Sequence, residues 1–178
     1  MTEWQRITWV VFHTLALSYN ENYKEHYITF FNTLQTIIPC RMCRNHYITN
    51  ISKDGMHIEE NINSENIFNW TIDLHNKVNK MHSKKIWGHD EARSFYQKNG
   101  FSNELLKMFI LEYTKTNFKK KPEKTQQLMT MIRSLAYLHP DEVKRNRLIS
   151  FKERFELNRG TFKNWVSAFI IVLTQEPK

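Results

Sequence analysis

Thiols are nearly absent from this chain: Cys40 and Cys43 are the only cysteines among its 178 residues. A lone pair cannot build the multi-disulfide framework of a small secreted domain. Glycine and proline are also scarce, four of each. Short β-type runs between turn signals are few, which favours an all-helical protein. The β-α-β alternation of a thioredoxin-like fold is missing. The longest apolar run, Val166 to Leu173, is broken by Ser167 and falls well short of the roughly 20 residues that cross a bilayer. Glu3 and Arg6 stand where the apolar stretch of a secretory signal would begin, so a protein outside membranes and outside the usual secretory route is expected.

The deficit of acidic residues lies almost wholly in the second half. Residues 1–98 carry 11 Lys/Arg against 10 Asp/Glu, whereas residues 99–178 carry 15 against 8, together giving the net charge of +8. The two halves are therefore read as separate units, 1–98 and 99–178. Apolar residues make up 40% of the chain, enough for a sizeable core, and no internal repeat is evident.

Apolar residues at helical spacing predict a first helix through Trp4, Ile7, Val11, Phe12 and Leu15, and a second from about Tyr23 to Ile38. Pro39 ends the second, and a short third helix should begin at the cysteines. Residues 50–63 read as a polar loop. Ser64 is expected to cap a fourth helix from Glu65 to about His82, and a fifth runs from Asp90 to Lys98 before the stop signal Asn99-Gly100. Four further segments follow, about Ser102–Asn117, Lys124–Leu138, Pro140–Glu156 and Thr161–Leu173. They are separated at Lys119-Lys120-Lys121-Pro122, His139-Pro140 and Arg159-Gly160. The three-lysine loop reads as a solvated turn rather than a nucleic-acid patch.

A C-x-x-C pair entering a helix can form a small, readily exchanged disulfide, with the helix N-terminus and Arg41 and Arg44 favouring a thiolate. The same residues could instead anchor zinc with His46 and His57, or be inert. A second motif, Trp70-(x)4-His75-Asn76-x-Val78-Asn79, gathers an indole, an imidazole and carboxamides toward one inner surface. Such groups, if buried without partners, would cost about 1–3 kcal/mol each, so they call for water or a polar ligand with a flat face.

In their order and spacing these motifs resemble the Erv/ALR family of flavin-dependent sulfhydryl oxidases. The likeness covers about residues 3–97. It comprises Arg6-x-x-Trp9-x-x-x-His13-Thr14-Leu15-Ala16 with Tyr19, then Pro39-Cys40-x-x-Cys43-x-x-His46-Tyr47, the Trp70 to Asn79 motif, and Lys84 with Trp87. The resemblance implies a four-helix bundle with a short fifth helix, holding FAD and followed here by an additional helical region. It implies that Cys43 is the sulfur beside the flavin and Cys40 the outer sulfur attacked by substrate. Arg6, Trp9, His13, Tyr19, Cys43, His46, Trp70, His75, Asn76, Val78, Asn79, Lys84 and Trp87 would line the cofactor site, with Phe95 or Tyr96 a candidate to close over the adenine. It further implies a homodimer paired through the first two helices, and dioxygen as electron acceptor.

The chain departs from the family pattern at Asn20 and Lys85, where proline would stand, and it lacks a second, shuttle cysteine pair. Electrons should therefore enter directly from a dithiol partner, a thioredoxin-like carrier or the client itself. The extra C-terminal region and the Asn-, Lys- and Ile-rich composition suggest a large-DNA-virus member acting in host cytoplasm or virion. The mitochondrial intermembrane space is the alternative setting. A small zinc-held interaction module on Cys40, Cys43 and His46 remains the competing reading of the cysteine motif.

Overall fold

The computed structural model describes residues 2–115, 122–154 and 162–175, and all regular structure among them is helical. The helices are α1 (Glu3–Leu17), α2 (Lys24–Ile37), α3 (Arg41–Ile51), α4 (Ile58–Asn61), α5 (Ile67–Met81), α6 (His89–Lys98), α7 (Asn103–Thr114), α8 (Pro122–Leu138), α9 (Glu142–Arg154) and α10 (Phe162–Thr174). The Lys119–Lys121 run, the Arg159-Gly160 break and the expected helix ends at Asn117 and Glu156 lie outside the described residues.

Local chemistry sets the boundaries. α1 starts where the Thr2 N–H donates to Gln5 Oε1 at 2.9 Å, satisfying a donor that the helix itself leaves unpaired. Residues 21–23 form a single 3-10 turn ahead of α2. Cys40 is the N-cap of α3, its sulfur accepting the Cys43 N–H at 3.2 Å. The expectation of Ser64 as a cap is corrected: Asn63 Oδ1 accepts from both Glu65 N and Asn66 N, at 3.1 and 3.0 Å, and the helix begins at Ile67. Asn63, one residue before Ser64, takes the amides that precede the helix, and Asn66 occupies the N-cap position without a side-chain cap. The expected loop at 50–63 is also corrected, since Asn50 lies within α3 and Ile58–Asn61 form a helical turn that buries Ile58.

α1, α2, α3 and α5 enclose the core of the first half. Phe12 meets Phe30 and Phe31 edge-on, with ring centroids 5.8 and 5.4 Å apart, and Trp70 abuts Phe31 at 4.8 Å. Offset and edge-on contacts of this kind suit the charge distribution of aromatic rings. The second half does not stand apart from this core. α8 lies along α2 in the most extensive helix–helix contact, and α7 lies along α1. Phe109 and Tyr113 of α7 join the same buried cluster as Phe12 and Phe30.

Candidate active site

Pro39 stops α2, and the chain turns at once into α3, placing both cysteines at a helix N-terminus. Cys40 and Cys43 are joined as a disulfide with Cα atoms 5.2 Å apart. Both are half-buried, while Met42 between them is 64% exposed. Arg44 does not face the sulfurs; its Nη1 donates to the Ile38 carbonyl at 2.8 Å and ties down the turn. The polar partner of the inner sulfur comes from α1. Gln5 Nε2 donates to Cys43 Sγ at 3.6 Å, and Oε1 of the same amide is held by the Thr2 N–H. Helix dipole and amide together favour negative charge on Cys43.

Cys43 forms one wall of a slot between α1, α3 and α5. Gln5, Thr8 and Trp9 line it from α1, His46, Tyr47 and Asn50 from α3, and Leu74 and Val78 from α5. Tyr113 of α7 closes one side, and the enclosed volume is about 70 Å³. Asn50 is 4% exposed and its Nδ2 has no hydrogen-bond partner among the described residues. A buried amide left this way is costly unless something else accepts from it. Burial raises the Tyr47 phenol well above its usual range, so it stays protonated.

Beside the slot runs a chain of neutral imidazoles. Thr71 Oγ1 donates to the Phe68 carbonyl at 2.7 Å, which leaves its lone pair to accept from His13 Nδ1 at 3.0 Å. His13 Nε2 then accepts from His75 Nδ1, also at 3.0 Å. This ordering leaves His75 Nε2 as a bare acceptor. Burial and then His75 hold His13 well below its usual pKa. Burial, with Lys84 adding to it, brings His75 down to about 4. Both rings are therefore uncharged near neutrality. The indole of Trp9 stacks on His75 with centroids 4.2 Å apart, linking the relay to the slot wall.

The carboxamides of α5 find backbone partners within the chain. Asn76 grips the backbone of Trp87, donating to its carbonyl and accepting from its N–H, both at 2.9 Å. Asn79 Nδ2 donates to the Lys85 carbonyl at 3.0 Å. They hold the turn after α5, and through it Trp87, whose ring sits 5.3 Å from Phe95.

Comparison with known proteins bears directly on this arrangement. The model of the Erv1/Alr family matches residues 6–99, more than half of the chain. This chain belongs to the Erv1/Alr family. It is 35% identical over 100 residues, 54% of this chain and 70% of the relative, to a protein of Acanthamoeba polyphaga mimivirus named a probable FAD-linked sulfhydryl oxidase. It is 33% identical over 122 residues, 66% of this chain and 94% of the relative, to the FAD-linked sulfhydryl oxidase of a Kenyan pig isolate of African swine fever virus. The corresponding protein of a Malawian tick isolate is 30% identical over the same coverage. No solved structure matches.

Within this Erv1/Alr unit the expected site residues fall into groups. Trp9, Cys43, His46 and Val78 line the slot, and His13 and His75 form the relay behind it. Asn76, Asn79 and Trp87 build the adjoining turn, with Lys84 exposed on it. Three others lie elsewhere. Arg6 is exposed and pairs with Glu3 at 3.3 Å. Tyr19 donates to Glu21 at 2.8 Å and packs on Tyr27. Trp70 is buried in the core, donating to the Met56 carbonyl at 3.0 Å. Sequence reasoning missed Gln5, Asn50 and Tyr113. Gln5 could have been found one helical turn before Trp9, on the same face. Tyr113 carries no local signal, because it arrives from the other half of the chain. The zinc alternative finds no ligand set: no three His, Cys, Asp or Glu side chains converge among the described residues.

Proposed function

We propose that the protein is an FAD-dependent thiol oxidase that makes disulfides in a protein dithiol and delivers the electrons to dioxygen. One observation carries this reading: a disulfide at a helix N-terminus, its inner sulfur on the wall of an aromatic slot and its outer sulfur beside exposed Met42.

The side chains suit a flavin. An unpartnered buried amide nitrogen at Asn50, a bare acceptor on His75 and the flat faces of Trp9 and Tyr47 match a polar ring system. The slot, at about 70 Å³, is too small for three fused rings, so seating them requires its walls to part. Trp9, His46, Asn50, His75 and Val78 would hold the group. Bound there, FAD supplies the two-electron acceptor that restores the Cys40–Cys43 bond, with dioxygen reduced to hydrogen peroxide.

The remaining chemistry belongs to the cysteines. A substrate thiolate attacks Cys40 Sγ; the Cys40–Cys43 bond breaks, and Cys43 departs as thiolate, stabilised by the α3 N-terminus and the Gln5 amide. The second substrate thiolate attacks the substrate sulfur of the mixed disulfide and releases Cys40 as thiolate. The substrate leaves as a disulfide, two electrons poorer. With no further cysteine in the chain, the substrate dithiol must reach Cys40 itself, which suits a thioredoxin-like carrier or a client with a mobile dithiol.

The relatives are viral, and a virus assembling in a reducing compartment needs its own source of disulfides. The reading is therefore of a viral enzyme in host cytoplasm or virion. No helix among the described residues is long and apolar enough to cross a membrane. The test is the absorbance spectrum: the purified protein should be yellow, and Cys43→Ser should retain FAD yet consume no oxygen with dithiothreitol. Colourless protein that takes up no added FAD would refute the proposal.

A further inference from the structure

Two distant stretches of the chain are built alike. Pro39, Arg44, Asn45 and Ile48 recur as Pro140, Arg145, Asn146 and Ile149, each 101 positions later. The likeness extends to their hydrogen bonds. Cys40 accepts the Cys43 N–H at the start of α3, and Asp141 accepts the Lys144 N–H at the start of α9, at 3.2 and 2.7 Å. Arg44 Nη1 returns to the Ile38 carbonyl at 2.8 Å; Arg145 Nη1 returns to the His139 carbonyl at 2.9 Å. Ile38 and His139 are separated by the same 101 positions. The helices before these turns also run in step. Buried Tyr27, Phe30, Phe31 and Leu34 of α2 correspond to buried Leu128, Met131, Ile132 and Leu135 of α8. Helical periodicity alone would reproduce the buried face, but not the cap and the arginine bond.

The correspondence continues outward. Buried Val11, Phe12 and Leu15 of α1 match Phe109, Ile110 and Tyr113 of α7 at a spacing of 98. Asn69-Trp70 in α5 matches Asn164-Trp165 in α10 at a spacing of 95. The two sets meet like on like, α2 against α8 and α1 against α7. Packing of each element on its own counterpart is the mark of a two-fold interface.

We infer that helices α7 to α10 are a second copy of the oxidase helical unit, stripped of its chemistry and folded back on the first, so that the protein is a monomer with one redox site. Asp141 and Lys144 stand in place of the two cysteines. Lys107 and Leu111 replace Trp9 and His13 on α7, and Ile170 and Ile171 replace His75 and Asn76 on α10. The silent copy still contributes to the working one, since Tyr113 closes the slot and its hydroxyl lies 3.3 Å from Thr8 Oγ1. The α1–α2 surface expected to pair two chains is covered by α7 and α8 of the same chain. Tethering makes that contact independent of protein concentration. This replaces the sequence reading of a chain without internal repeat.

Sedimentation of the full chain over a wide concentration range, with flavin counted per chain, tests the inference. The expected result is a constant mass near 21.6 kDa and no more than one flavin. A stable dimer, or two flavins per chain, would overturn it. The copy itself is tested by the double variant Asp141→Cys/Lys144→Cys in the intact chain. Matching turns predict that all four cysteines resist alkylation until reductant is added, and two freely alkylated thiols would refute the match. Mass and thiol counts are read whether or not the protein is yellow, so this inference and the oxidase proposal fail separately.

Discussion

Acidification should weaken this fold through two buried imidazoles. His75 has a folded-state pKa of about 4 against an ordinary 6.5, and burial together with His75 depresses His13 as well. Below pH 6.5 the unfolded chain takes up protons that the folded chain excludes, so stability is complete above that value and falls as pH drops toward 4. At about 1.4 kcal/mol per pH unit, moving from about pH 7.5 to about pH 5 removes roughly 2 kcal/mol through His75 alone. His13 adds to the loss with the same sign. Urea unfolding at the two pH values measures it directly, as a fall in midpoint at constant slope. His75→Asn gives the control. It will be less stable at neutrality, because it loses the ring that stacks on Trp9, but its further loss on acidification should be smaller by roughly 2 kcal/mol. Equal losses in the two proteins would refute the neutral-relay reasoning. The same equilibrium bears on the site, because protonating His75 would turn its bare acceptor into a donor.

Other perturbations address single contacts. Gln5→Leu removes the amide from Cys43; a hydrogen bond to a charged group contributes about 1.5–3 kcal/mol, so the Cys43 thiol pKa in the reduced protein should rise by about one unit or more, read from thiolate absorbance against pH. An unchanged titration would show that the amide contact is incidental. Tyr113→Phe deletes the hydroxyl that bonds Thr8 between the two halves and should cost about 1 kcal/mol in urea unfolding. The paired variants Trp70→Phe and Trp165→Phe separate the two copies. Trp70 Nε1 serves the Met56 carbonyl, whereas Trp165 Nε1 has no partner among the described residues. Trp70→Phe should therefore cost about 1 kcal/mol more than Trp165→Phe, and equal costs would contradict this.

The sequence made the redox turn legible because its chemistry is local. Pro39 ends a helix, Cys40 caps the next, and Cys43 must lie one turn inside it; none of this depends on the rest of the chain. Helix positions followed from apolar spacing for the same reason. The partners of the α5 carboxamides were not legible, because spacing shows which face a side chain shares but not which backbone it meets. Asn76 and Asn79 are satisfied by Trp87 and Lys85, on a turn whose path no helical pattern encodes. Tyr113 was invisible because its role arises only when α7 packs on α1.

The second half was illegible for a deeper reason. Residues that identify a redox centre are chemical, and in α9 the sulfurs have given way to Asp141 and Lys144. What persists there is what folding requires: a side chain to cap the helix, an arginine to tie the turn and an apolar stripe to bury. Asp141 caps a helix as well as a cysteine sulfur does, or better, so the start of α9 keeps its cap without a sulfur. Lys144 is buried, and its amine meets the Gln175 carbonyl and so avoids the penalty of an unpaired buried charge. A unit released from chemistry but still required for packing keeps its caps and core while its site residues drift. On this argument Asp141→Ala, which removes only the cap, should destabilise the whole chain by about 1 kcal/mol and leave oxygen consumption with dithiothreitol unchanged. Loss of oxidase activity without loss of stability would mean that the second half has kept a chemical role.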